Sequence, residues 1–215
     1  MADEYYHLYN RGIDKRNIFS SQKDVTRFFR SILEFNTLNP IGSIYENSFR
    51  KQKHRLGGFT SKSEKKLVDL VAYCINPNHY HFIVRQVSDR GIEKFMHRLA
   101  TGYTMYFNEK EKRSGALFQG VFKSIHINSN EYLLHLSSYV NLNDRVHQLG
   151  GFKLVGSLSS WEEYVDKRIK GICEKGIILG QFKSVGEYKK FALSSLESII
   201  KRKEELKDIG NLLLE

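Results

Sequence analysis

At 215 residues the chain has the length of one ordinary domain with a small addition, and its 40% hydrophobic and 13% aromatic content excludes a disordered polymer. Lys and Arg outnumber Asp and Glu by 34 to 24, and this net charge of +10 suits a polyanion, nucleic acid before an anionic membrane surface. No apolar run approaches the roughly 20 residues of a membrane span, and "MADEYYHLYNRG" has no basic-then-apolar leader pattern.

Residues 5–12, "YYHLYNRG", alternate as a first strand closed by Gly12. Ser21 with Asp24 three residues on resembles a capping box. It opens a helix striped by Val25, Phe28, Phe29, Ile32 and Leu33 and ended by Pro40. Residues 41–66 are polar and basic and read as a long exposed loop, either a solvated connector or a DNA contact. Residues 66–75 and 79–87 then read as two strands joined by a tight "NPN" turn.

A helix is expected from Gly91 to Arg113, with Ile92, Phe95, Met96, Leu99, Tyr103, Tyr106 and Phe107 as core packing. Residues 115–127 follow as a strand whose glycines mark a bulge, and 128–143 as a helix started by Asn128. Beyond Gly151 a loop-rich stretch carrying Trp161 and Tyr164 leads to a last amphipathic helix opened by Ser184 and Glu187. Two distant cysteines, Cys74 and Cys173, read as reduced thiols of a cytosolic protein without a CxxC zinc signature. The order β-α-β-β-α-β-α predicts an α+β fold, a ferredoxin-like split βαβ antiparallel sheet with helices on one face. Residues 1–150 form the main domain in this reading and 151–215 a loop-rich and helical C-terminal extension.

The chemistry concentrates in "NPNHYHFIV" (76–84). A strand alternates its faces, so His79 and His81 point one way while Tyr80 and Phe82 point the other. Two imidazoles side by side need a shared partner, either a structural one or a metal ion. On the helix over 128–143, spacings of four bring His135, Tyr139 and Asn143 to one face. A tyrosine and an amide one turn apart, packed over His-x-His, would make a metal and nucleophile site.

At these residues the chain resembles a family. His79-Tyr80-His81 is similar to the HUH motif of single-strand endonucleases. With "YHLYNRG", "LFQGVFKSI" and "YLLHLSSYVNLN" in the same order, it resembles the small single-tyrosine transposases, particularly the REP-associated tyrosine transposases. The likeness covers residues 5–145. It implies an HUH endonuclease fold and a prokaryotic, cytoplasmic protein working at the nucleoid, as a monomer or a homodimer. It also implies a metal-dependent strand transferase for single-stranded or hairpin DNA. By position, Tyr139 would be the nucleophile and His79, His81 and Asn143 would hold Mg²⁺ or Mn²⁺. Asp144 stands where the family often has proline, and Val121 where many members have a basic residue; neither touches the four site residues.

A phenol is a weak nucleophile at its free pKa of about 10, and a divalent ion would polarise the phosphate that it attacks. The product would be a 5′-phosphotyrosine and a free 3′-OH. No Walker-type phosphate loop is present, in keeping with a reaction that needs no nucleotide. Tyr132, seven residues before Tyr139, lies about 10 Å away along the helix and reads as packing. Arg11, Arg85 and Lys123 are the expected backbone-phosphate contacts. The competing expectation is a non-catalytic single-stranded or hairpin nucleic-acid-binding module whose histidines are satisfied within the core.

Overall fold

The structure is a computed structural model that describes residues 3–48, 65–146 and 158–212. Five strands, β1 (Tyr5–Arg11), β2 (Val68–Asn76), β3 (His79–Gln86), β4 (Lys123–His126) and β5 (Leu158–Ser159), form one antiparallel sheet in the order β4-β1-β3-β2-β5. With α1 (Gln22–Phe35) and α2 (Gly91–Lys110), the first four strands make the split βαβ unit. The chain continues through α3 (Asn130–Asn141), α4 (Asn143–Val146), α5 (Trp161–Val165), α6 (Gly176–Leu179) and α7 (Val185–Leu212). None of the described helices is long and apolar enough to cross a membrane.

The helices cover both faces of the sheet. α1 and α2 lie on one face as expected, where Val25, Phe28, Phe95, Leu99 and Tyr103 meet Leu8, Tyr80, Phe82 and Val84. The expectation of helices on one face fails for the rest of the chain. Leu133, Leu136 and Val140 of α3, with Trp161, Tyr164 and Tyr188, cover Ala72, Cys74 and Ile83 on the opposite face. The reason is that all nine residues of β2 and the first six of β3 are buried. Strands apolar on both sides need cover on both sides.

Several boundaries also shift. Of the expected strand over 115–127, residues 123–126 form a strand of the sheet and Phe118 makes a single bridge to Gly12; between them Gly120 adopts positive φ and turns the chain away. The cap of α3 is Ser129, not Asn128: its hydroxyl accepts from the Tyr132 amide at 3.2 Å. The helix stops at Asn141, and Asn143 opens the short α4 beyond Leu142. Trp161 and Tyr164 lie on α5 and not in a loop. Most of the basic loop over 41–66 lies outside the described residues, as does the expected domain boundary at 150. Cys74 and Cys173 are both free thiols.

The capping box of α1 does more than start a helix. Asp24 is fully buried and accepts from Ser20 N–H, the Ser21 hydroxyl, the Tyr106 hydroxyl and Lys110 Nζ at 2.8–3.0 Å, which ties α1 to α2. Burial alone would raise its pKa, but these donors outweigh burial and hold the carboxyl below its usual value. A depressed carboxylate contributes stability that is present above its unfolded pKa and lost as pH falls through its folded pKa. Asp24→Asn should therefore cost about 3 kcal/mol at pH 7 in urea unfolding, and it should flatten the loss of stability below pH 4. An unchanged acid limb would remove Asp24 from that role.

Candidate active site

Register builds the site. In the antiparallel pairs, Tyr9 stands opposite His81 and Arg11 opposite His79 on one side of β3, with Cys74 opposite His81 and Asn76 opposite His79 on the other. Directly opposed side chains share a face, so these residues and His7 surround the two histidines on the side covered by α3. His79 and His81 do face one way, with ring centroids 5.2 Å apart and their planes nearly perpendicular.

Each imidazole has its own anchor. His81 Nδ1 lies 2.9 Å from Nε2 of His7, whose ring stacks at 5.0 Å on Tyr9. His79 Nδ1 lies 2.6 Å from Asn78 Oδ1, an acceptor, so Nδ1 carries the proton and Nε2 a lone pair. That Nε2 is 3.0 Å from Asn76 Nδ2 and 3.1 Å from Asn143 Oδ1, and Asn76 Nδ2 also donates to Asn143 Oδ1 at 2.7 Å. Burial lowers the His79 pKa, with the Arg11 charge adding to it and Asn143 partly opposing it. Burial also takes His7 down to about 4. Both rings are neutral at pH 7.

Tyr139 is half-buried and presents its ring edge-on to His81 at 5.5 Å and to His7 at 6.5 Å. Burial raises the pKa of its phenol. The Asn143 side chain and the Arg11 charge draw it partway back. Asn143 Nδ2 is itself buried and completes no hydrogen bond with any described group. The structure therefore brings together His79, His81, Tyr139 and Asn143, although a helix break at Leu142 separates the last two.

Could these residues hold a divalent ion? Among the described residues no three His, Cys, Asp or Glu side chains cluster as a ligand set, so any such site must use the amide. The donor chemistry fits. His79 Nε2 and the Asn143 carbonyl oxygen, 3.1 Å apart, are two acceptors that the Asn76 amide bridges, and a cation would take over that bridging role. Imidazole nitrogens and an amide oxygen as donors would suit Mn²⁺ better than Mg²⁺.

Of the expected phosphate contacts, Arg11 ends β1 opposite His79 and has no ion pair among the described residues. Lys123 lies on the edge strand, Nζ 5.8 Å above the Tyr9 ring. Arg85 differs. It sits at the far end of β3, where Asp69 and Asp3 take up its guanidinium at 2.5 and 3.1 Å, away from the histidines. His135 also leaves the site: its Nδ1 is 3.2 Å from Ser195 Oγ and its ring packs on Phe191 of α7.

The rival tyrosines stand elsewhere. Tyr103 and Tyr106 donate to Ile18 O and Asp24 on the opposite sheet face, and Tyr132 opens towards α7. His7, Tyr9 and Asn76 were missed by sequence reasoning. The signal lay in the alternation of "YHLYNRG", which sets residues 7, 9 and 11 on one face once β1 pairs with β3.

Residues 44–143 match the family described as "Transposase IS200 like". The match spans just under half of the chain and contains His79, His81, Tyr139 and Asn143. It bears out the family resemblance carried by the motifs. Among solved structures, the chain is similar to a REP-associated tyrosine transposase bound to a REP hairpin. That likeness covers 80% of this chain and 85% of that one, at 12% identity and a TM-score of 0.51. At such identity it speaks for the fold, and the fold is the expected one. No curated protein sequence matches the chain.

The neutral His7 can be read in solution. An unfolded imidazole takes up its proton near pH 6.5, whereas folded His7 does so only near pH 4, so stability falls as pH drops from 6.5 to 4. His7→Gln should remove about 2 to 3 kcal/mol of the difference in urea-unfolding free energy between pH 7 and pH 4.5. An identical pH slope in both proteins would mean that His7 titrates normally.

Proposed function

We propose that this protein is a metal-dependent transposase that cuts and rejoins single-stranded or hairpin DNA through a 5′-phosphotyrosine at Tyr139. The observation that carries the reading is the placement of the Tyr139 ring against His81, two residues along β3 from the His79 that faces Asn143. The family match supports the transposase class, and the REP hairpin bound to the similar transposase supports the substrate class.

Tyr139 Oη attacks the phosphorus in line and gives up its proton as the O–P bond forms; the bond to the 3′ oxygen breaks and a 3′-OH departs. Attack by a 3′-OH on the phosphotyrosine restores the phosphodiester and the phenol, so the bond energy is conserved and no nucleotide is consumed. His79, His81 and Asn143 would hold a divalent ion, Mg²⁺ or Mn²⁺, which would supply Lewis-acid polarisation of the non-bridging phosphate oxygens. Burial keeps Tyr139 protonated before substrate arrives. Arg11 offers a cation beside the nucleophile, and Lys123 a second at the sheet edge.

Tyr139→Phe removes one hydroxyl and should change stability by no more than about 1 kcal/mol, while the covalent protein–DNA band on a labelled hairpin oligonucleotide disappears. Tyr132→Phe should keep the band. If Tyr139→Phe still formed an adduct, the nucleophile would be another tyrosine. Cleavage without an adduct would point to an attacking water.

His79→Ala or His81→Ala should abolish cleavage in Mg²⁺ or Mn²⁺ yet leave hairpin affinity within a few-fold, because affinity comes from backbone contacts and stacking. Normal cleavage by either variant would sink the metal site. If the wild-type protein bound hairpins and never cut them in either ion, the second reading would take over, a binding module whose histidines are satisfied by His7, Asn76 and Asn78.

A further inference from the structure

A second feature lies along the helix that carries the nucleophile. Between α3 and the middle of α7 runs an open groove of about 1130 Å³, bordered by Tyr132 and His135 on one side and Lys190, Phe191, Lys201 and Arg202 on the other. The three cations make no ion pair among the described residues, and Glu131 is the sole acid along the groove. Serine hydroxyls line the floor, one of them, Ser195, bonded to His135. Lys190 and Lys201 stand three turns apart on α7, about 16 Å at 1.5 Å per residue.

Cations spaced along a groove hold phosphates, and aromatic rings between them stack bases without regard to sequence. An acidic peptide would use the cations but not the open rings. The groove also leads somewhere. Tyr132, His135 and Tyr139 fall at spacings of three and four, one stripe of α3 running from the groove to the candidate nucleophile.

We propose that this groove binds the single-stranded DNA that continues from the scissile phosphate, so that the C-terminal helix is part of the DNA-binding surface. The assignment of the strand to the scissile phosphate rests on the transposase reading; the binding of single-stranded DNA in the groove does not.

The test uses the full chain and a labelled oligo-dT 20-mer. Lys190→Gln, Lys201→Gln and Arg202→Gln combined should weaken binding at least ten-fold at 0.1 M salt. The log–log salt slope should fall by about 2, as expected for three lost single-strand phosphate contacts. A charge-matched control, Lys23→Gln, Lys94→Gln and Lys112→Gln, should bind within about two-fold of wild type. Photo-crosslinking with 4-thio-dT in the 20-mer, mapped by mass spectrometry, should label Tyr132 or Phe191.

Equal weakening in both triple variants would overturn the proposal in favour of diffuse charge, as would crosslinks confined to other faces. No measurable binding of the 20-mer by the wild-type chain would overturn it too. If instead the groove variant bound the 20-mer normally but lost self-association in sedimentation, or lost affinity for a poly-Glu peptide, the groove would belong to a protein partner and the proposal would fall. None of these outcomes bears on whether Tyr139→Phe abolishes the adduct, so the two readings fail separately.

Discussion

Everything at the site follows from the burial of β3 on both of its faces. It lies between β1 and β2, and its first six residues are buried, so each side chain is committed to one of two interiors. Tyr80, Phe82 and Val84 fill the interior under α1 and α2. His79 and His81 are thereby forced into the other, where only polar neighbours can offset their desolvation. A one-residue slip of β3 would exchange the two sets and destroy both interiors at once. The catalytic reading and the stability of the fold thus rest on the same register.

The tip of the β2–β3 hairpin is held from outside the sheet as well. The Pro77 carbonyl accepts from both Ile18 and Phe19 N–H, and the Asn78 carbonyl accepts from Gly12 N–H at 2.9 Å. Gly12 is required there: a Cβ would come within 2.4 Å of the Arg16 carbonyl oxygen. His79, the first residue after this tip, is consequently fixed by the turn on one side and by Asn76 and Asn143 on the other. If His79 holds an ion as proposed, it would have little ordering entropy left to lose on binding it.

Much of this arrangement was legible in the sequence because it depends on short-range periodicity. Alternation in "HYHFIV" fixes which way the histidines point, and the spacing of four foretells that Tyr139 and Asn143 lie close, although the helix breaks at Leu142 between them. Longer-range facts were not legible. Nothing local to Arg85 says that Asp69 and Asp3 will take its charge, and nothing local to His135 says that α7 will pack beside it. His7 was hidden for a different reason: a single histidine in an alternating strand acquires meaning only when the partner strand and its register are known. The covering of the second face was hidden likewise, since an apolar run of strand length does not say how many layers will bury it.

In this structure the candidate nucleophile and both histidines come from one polypeptide, α3 lying over the sheet of its own chain. The consequence is mechanical. Folding alone carries the tyrosine ring to the imidazoles, so any change that loosens the seat of α3 on β2 and β3 would blur the site's geometry even if it touched none of the four side chains.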